Sequence, residues 1–367
     1  MAVGLRCYVF GRYEDAVNAL STASRSSNDE VASAGSYNLG VVLHEQGDPA
    51  GARAAWEQTI ASGHCDRAPK AALNLGLLLD QQGDAANARV RLQQAIDSDH
   101  PDYAPSAMVN LGIVLTEQQD LAGARVAYQR AIASGHPHEA RAAMLNLGAL
   151  LAAQGDAAGA FAAYQELIDS GAPGGAVDAM FNRAVLLAEQ GDPAARAAYQ
   201  QVIDSGHADH APAAMINLAV LFEREEDTAG AQALYEDAIH SGHPECVVQA
   251  SVNFGNLLAR LGKRDEARAA YERAVDSNDA VMAPGAAVSL GVLLCEMGEI
   301  PDALAAYQKA IESGHADFAP KAAFNLGLVL QAQGDVPGAR LAYEKAAAST
   351  HLEAGLMAQL ALRTLPP

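Results

Sequence analysis

Aromatic side chains are scarce in this chain: they make up 5% of its 367 residues, with a single tryptophan. Sandwich and barrel strands are rich in aromatics, so the scarcity favours helices packed through small residues. Cysteine is scarce too. Cys7, Cys65, Cys246 and Cys295 form no CxxC pair and no zinc-like spacing, which argues for a reduced, cytoplasmic chain without a disulfide framework. Positive charge is in deficit, with 24 Lys and Arg against 44 Asp and Glu and a net charge of −20. That balance excludes the basic stripe expected of a nucleic-acid binder, and it would attract neutral or basic partners. Long apolar runs are missing: no stretch approaches the roughly 18–20 residues of a membrane span. The opening MAVGLRCYVFGRYEDAV is broken by Arg6, Arg12 and Glu14, and lacks the uncharged core and cleavage site of a signal peptide.

What the chain does have is one unit copied along its length. Asn38, Asn74, Asn110, Asn146, Asn182, Asn217, Asn253 and Asn325 recur at a step of 36, shortened once to 35, with Ser289 on the missing rung. A Gly-Asp break keeps the same beat at Gly47, Gly83, Gly155, Gly191, Gly262, Gly298 and Gly334, with Gln119 and Glu226 as exceptions. An aromatic follows at Trp56, Tyr128, Tyr164, Tyr199, Tyr235, Tyr271, Tyr307 and Tyr343, with Leu92 as the exception. Fixed periods of this size signal a solenoid of supersecondary units.

Each unit reads as a helical hairpin. Helix A runs from about Ala68-Pro69 to Gln82 in one copy, with proline in a first turn that has no use for its N–H. Gly83 ends it and Asp84 is placed to cap helix B. Ala88, Leu92, Ala95 and Ile96 then fall on one helical face. A Ser-Gly-His turn closes the unit, with glycine at Gly63, Gly135, Gly171, Gly206, Gly242 and Gly314.

These landmarks resemble the tetratricopeptide repeat (TPR) family, which places Leu-Gly in helix A and Ala, an aromatic and Ala in helix B. Leu111-Gly112, Ala124, Tyr128 and Ala131 fill those places, and the likeness covers nearly the whole chain. It implies an all-α, right-handed α–α superhelix of about nine hairpins, read as one domain over residues 1–367. The period is 36 instead of the roughly 34 of the family, and a Ser-Gly-His loop replaces its inter-repeat proline. The Gly-His ending is similar to Sel1-like repeats, without their longer glycine-rich loop.

Three features interrupt the array. Val3-Gly4 aligns with Leu-Gly, so the first unit is expected to begin inside helix A. Residues 352–363 read as a terminal helix A, with Leu352, Leu356, Met357, Leu360 and Leu362 apolar all round. Around 171–199, Gly-Ala-Pro-Gly-Gly replaces the usual loop, Arg183-Ala184 replaces Leu-Gly, and one residue is deleted. That stretch reads as a change of twist or a hinge.

The asparagine ladder is the leading site candidate. The position before it varies as Tyr37, Leu73, Val109, Leu145, Phe181, Ile216, Val252, Val288 and Phe324, while the asparagine is kept on eight rungs of nine. The resemblance places this ladder on the concave face, as in the TPR region of O-GlcNAc transferase, whose asparagines bind the backbone of an extended polypeptide. A carboxamide offers a donor and an acceptor, which matches a peptide unit without reading its side chain. The other reading is structural, with each asparagine bonding the backbone of a neighbouring repeat.

Other ladders read as supporting structure. His64, His100, His136, His207, His243, His315 and His351 would sit roughly 8–10 Å apart, too far to share a metal, and are read as completing the end of helix B. Arg53, Arg89, Arg125, Arg196, Arg268 and Arg340 face solvent or pair with acids of the next repeat. The tyrosines are read as core between hairpins. Lys70 and Lys321 stand too far apart in sequence to clamp a C-terminal carboxylate. No nucleotide loop, nucleophile elbow or HExxH motif occurs, so neither enzyme nor cofactor is expected. The expectation is a scaffold that holds an extended, neutral-to-basic peptide in its groove, or else a module that self-assembles through open solenoid ends.

Overall fold

The computed structural model describes residues 2–171 and 175–366. Among them are 21 helices and no strand. The chain divides into two compact units, residues 1–186 and 187–367. In the first, the helices run α1 (Ala2–Val9), α2 (Tyr13–Ser24), α3 (Asp29–Glu45), α4 (Pro49–Ala61), α5 (Arg67–Gln81), α6 (Ala85–Ile96), α7 (Tyr103–Glu117), α8 (Leu121–Ala133), α9 (Glu139–Ala153) and α10 (Ala157–Asp169). The division falls inside α11 (Ala176–Glu189). The second unit continues with α12 (Ala194–Asp204), α13 (His210–Arg224), α14 (Thr228–His240), α15 (Pro244–Arg260), α16 (Arg264–Asp276), α17 (Ala283–Met297), α18 (Ile300–Glu312), α19 (Phe318–Ala332), α20 (Val336–Ala347) and α21 (Leu352–Thr364). The odd-numbered helices are the A helices and the even-numbered ones the B helices. The boundary lies within the stretch 171–199 that the sequence marks as irregular, of which residues 172–174 are outside the described residues.

Local chemistry fixes the ends of each hairpin. Asp84, Asp120, Asp156, Asp227 and Asp335 each accept a backbone N–H three residues on, which caps the B helix that follows. The preceding residue must turn the chain through the left-handed region, which an L side chain resists. Glycine does this at most breaks. Gln119 at φ 62° and Glu226 at φ 63° do it against that resistance.

Packing follows one rule in most hairpins. The glycine of the Leu-Gly pair lies against the aromatic of its own B helix. A Cβ at Gly112 would stand 2.3 Å from Tyr128, and one at Gly148 2.4 Å from Tyr164. The same holds for Gly255 with Tyr271, Gly291 with Tyr307 and Gly327 with Tyr343. The tyrosines thus clamp their own hairpin as well as reaching the next one, where the ring of Tyr235 lies 6.1 Å from that of Phe254. Their hydroxyls return to the A helix, as in Tyr343 to Gln331 at 2.7 Å and Tyr271 to Asn256 at 2.7 Å.

Packing between repeats is uneven. Successive A helices touch, α3 on α5, α5 on α7 and α7 on α9 in the first unit, and α13 on α15 through to α19 on α21 in the second. Successive B helices do not pack on one another in this way among the described residues. In each unit the A helices thus form the tighter, inner face and the B helices the splayed, outer one.

Candidate functional site

The ladder residues stand near the middle of the A helices. Asn38 lies in α3, Asn74 in α5, Asn110 in α7, Asn146 in α9 and Asn182 in α11. In the second unit Asn217 lies in α13, Asn253 in α15 and Asn325 in α19, with Ser289 in α17. All are half-buried. The residue before each is apolar and packs with its neighbours, Leu73, Val109 and Ile216 being fully buried. Free drift there is drift among core side chains. The asparagine sits one step round the helix, at the edge between core and solvent.

Their hydrogen bonds are local. Asn38 Nδ2 donates to Ala34 O at 2.7 Å and Asn110 Nδ2 to Ser106 O at 2.8 Å, both in their own helix. Asn74 Nδ2 donates to the Tyr37 hydroxyl of the preceding repeat at 3.2 Å. Asn217 bonds the hydroxyl of Tyr199, whose phenol burial pushes up to about 12. Among the described residues no side-chain hydrogen bond involves Asn146, Asn182, Asn253 or Asn325. None of these partners is the backbone of a neighbouring repeat. In Asn38, Asn74 and Asn110 the amide nitrogen is used and the carboxamide oxygen stays open.

Asn146 also lines a hollow of about 450 Å³ between the α7–α8 hairpin and α9, with Ile113 and Glu117 of α7, Gln119 of the turn, Leu121 and Tyr128 of α8 and Ala149 and Ala153 of α9. Glu117 is exposed there. The cations are engaged elsewhere: Lys70 Nζ lies over the rings of Tyr37 and Tyr103, at 5.0 and 5.7 Å, and Arg260 pairs with Glu223. No three His, Cys, Asp or Glu side chains among the described residues could hold a metal ion.

Two adjoining helices per unit, a glycine–aromatic clamp between them and an inner A face make up the repeat geometry, and a family model carries the same pattern. The model described as tetratricopeptide repeat matches residues 8–72, 45–104, 73–139, 110–176, 193–244, 252–313 and 288–351. The chain belongs to the tetratricopeptide repeat family. A second TPR model matches residues 178–205, within the irregular stretch. No curated protein matches the chain. Among solved structures it is similar to PilF of Pseudomonas aeruginosa, at 20% identity and a TM-score of 0.45, over 57% of this chain and 91% of that one. It is also similar to c5321, a protective antigen of uropathogenic Escherichia coli strains with an SLR fold. There the identity is 19% and the TM-score 0.44, over 91% of this chain and 70% of that one.

The loops of this TPR array correct one sequence reading. The histidines do not complete the B helices; each caps the A helix that follows. Nδ1 of His64, His100, His136, His243 and His351 accepts the backbone N–H three residues on, at 3.1 to 3.4 Å. Nε2 then faces an acid of the preceding repeat: Asp66 for His100 at 3.3 Å, Asp209 for His243 at 3.4 Å and Glu30, in the first turn of α3, for His64 at 2.8 Å. With Nδ1 accepting, the proton of His100 and His243 is assigned to Nε2, which faces the acid; at His64 the Arg67 guanidinium also stands 2.6 Å from Nε2. Glu30 also receives Arg67, and these two hydrogen bonds lower its carboxyl to about 2. One clue was legible: in a copy that lacks histidine, Asp279 holds its place and accepts from Val281 and Met282, and aspartate is a common cap.

Losing the His100 ring should therefore cost about 1 kcal/mol, the usual worth of a cap. His100→Asn should recover most of that loss in a urea melt, because its amide oxygen can accept the same N–H. Equal losses for His100→Ala and His100→Asn would show that the ring acts through Asp66 instead.

The arginine ladder does reach the next repeat. Arg125 meets Asp156 at 3.4 Å, Arg89 meets Asp120 at 3.7 Å, and Arg268 meets Glu299 and Asp302. These are exposed pairs, each worth little.

Proposed function

We propose that the protein is a non-enzymatic interaction scaffold that holds an extended polypeptide along the inner A-helix face through its asparagine row. TPR arrays generally serve protein interaction. The observation that carries the finer reading is Asn146: its carboxamide makes no bond within the protein and opens into a hollow beside the exposed Glu117. A peptide unit would satisfy both ends of that carboxamide, and the acid would favour a neutral-to-basic segment. The open oxygens of Asn38, Asn74 and Asn110 repeat the same offer along the first unit.

The test is a triple substitution, Asn74→Ala with Asn110→Ala and Asn146→Ala. Affinity capture from cell extract, read by mass spectrometry, should lose the proteins held by wild type, while the melting temperature moves by only a few degrees. Retained capture, or a collapse in melting with no separate loss of capture, would reject groove binding.

A second reading, self-association, has its own observation. In α21 the side chains of Leu352, Leu356, Met357 and Leu360 are 77%, 57%, 49% and 59% exposed, an apolar stripe such as assembly surfaces carry. Sedimentation should then show a concentration-dependent rise in mass that Leu356→Glu with Leu360→Glu removes. A wild type that stays monomeric at high concentration would rule it out.

A further inference from the structure

The hollow beside Asn146 owes its space to two small residues. On each A helix the residues three and seven places after the ladder position share its face. In α5 they are Leu77 and Gln81, in α7 Ile113 and Glu117, and in α9 Ala149 and Ala153. No other A helix of the ladder carries alanine at both places. The bulk that α9 lacks leaves the hollow of about 450 Å³, which Ile113 lines from α7 and the buried ring of Tyr128 from α8.

Charge at the hollow has one sign. Glu117 is the single charged residue that lines it. This carboxylate is exposed and makes no ion pair or side-chain hydrogen bond among the described residues. Helices α7 and α9 also end here, at Glu117 and Ala153, so two helix C-termini add partial negative charge. The second unit shows how the chain itself meets such an acid. Arg260, at the place of Ala153, reaches back from α15 to Glu223 near the end of the preceding A helix, α13. In α9 alanine stands at this place, and the acid that ends α7 is left unpaired beside an apolar hollow.

We propose that the hollow is an arginine pocket, which reads one side chain of the bound segment; this rests on the asparagine row holding that segment. A backbone bonded to Asn146 lies at the hollow, because Asn146 lines it. The arginine stem would run over Ile113, Ala149 and Ala153. Its planar guanidinium would then meet both open oxygens of Glu117, the part that Arg260 plays toward Glu223. Lysine offers a point charge in place of that fork, and an apolar side chain leaves Glu117 without a partner. The pocket would fix the register of the segment. A carboxamide row cannot do so, since it bonds every peptide unit alike.

The test is a displayed library of short linear peptides selected on the full-length protein, with the winners measured by fluorescence anisotropy. The expected winners share an arginine at one position. Changing it to citrulline, which keeps the shape without the charge, should weaken binding by at least about ten-fold. Glu117→Gln should weaken the arginine peptide as much and leave the citrulline peptide as it was. Ala153→Arg fills the pocket from within and should also weaken the arginine peptide. Both variants should melt as wild type does, because Glu117 and Ala153 are exposed. Winners without a shared arginine, or an arginine peptide that Glu117→Gln binds within about two-fold of wild type, overturn the pocket; if the triple asparagine variant still loses those winners, the groove reading stands without it. Enrichment of no peptide, or winners that the triple variant binds as wild type does, overturns the groove reading and the pocket with it.

Discussion

Replacing Tyr235 with alanine is expected to destabilise the second unit by about 4 kcal/mol, the range for deleting a buried aromatic. Tyr235 has no exposed surface and its ring lies 6.1 Å from that of Phe254. Its hydroxyl donates to Glu223, which also receives Arg260. Tyr235→Phe removes only the hydroxyl and leaves Glu223 with Arg260, so it should cost about 1 kcal/mol. Urea melts of the two variants separate ring from hydroxyl; a phenylalanine as damaging as alanine would mean that the Glu223 bond, not the packed ring, holds the hairpin. The pH dependence has a definite sign. Burial first, then the bond to Glu223, push the Tyr235 phenol up, and burial pushes Tyr271 and Tyr199 to about 12. A raised pKa means that these rings support the fold fully below pH 10 and lose that support as pH rises from 10 through about 12. Tyrosinate absorbance should thus appear late in an alkaline titration, together with unfolding.

The period, the helix pairs and the turn residues were legible because each is written locally. Glycine before aspartate, and serine-glycine before histidine, announce their turns within a few residues. The partner across a packed interface is not written that way. Tyr128 shows a buried face, but periodicity alone does not say whether that face meets its own A helix or the next repeat. The missing signal was reciprocal: Gly112 has no side chain because Tyr128 fills the space. The histidines are ambiguous for a related reason. They lie between two helices, where the dipole favours a cation at the end of one and the free N–H groups call for an acceptor at the start of the other.

The asparagine row was legible as a row, and its half-buried position on the A helices agrees with the edge between core and solvent. What it holds rests on chemistry that no single chain displays.

The clamp has one further consequence, and it joins fold to site. Gly112→Val is expected to cost about 3 kcal/mol, at the upper end of overpacking. Its Cβ would meet the Tyr128 ring at 2.3 Å, and Tyr128 is 2% exposed, with no room to withdraw. Gly112→Ala should cost less, about 1 kcal/mol. Helix α13 carries Ala219 in this place and still buries Tyr235 in the B helix that follows, so a hairpin can house one methyl. Tyr128→Ala made in the Gly112→Val background should lose less than the sum of the two single changes, since each removes what the other strikes. If the hairpin does accommodate valine, it can do so only by moving α7 away from α8. That movement would shift Asn110 relative to Asn74 and Asn146, so peptide capture should fall in this variant even at temperatures where it remains folded. A Gly112→Val protein that melts and binds as wild type does would show that the glycine–tyrosine contact sets neither the stability nor the spacing of the asparagine row.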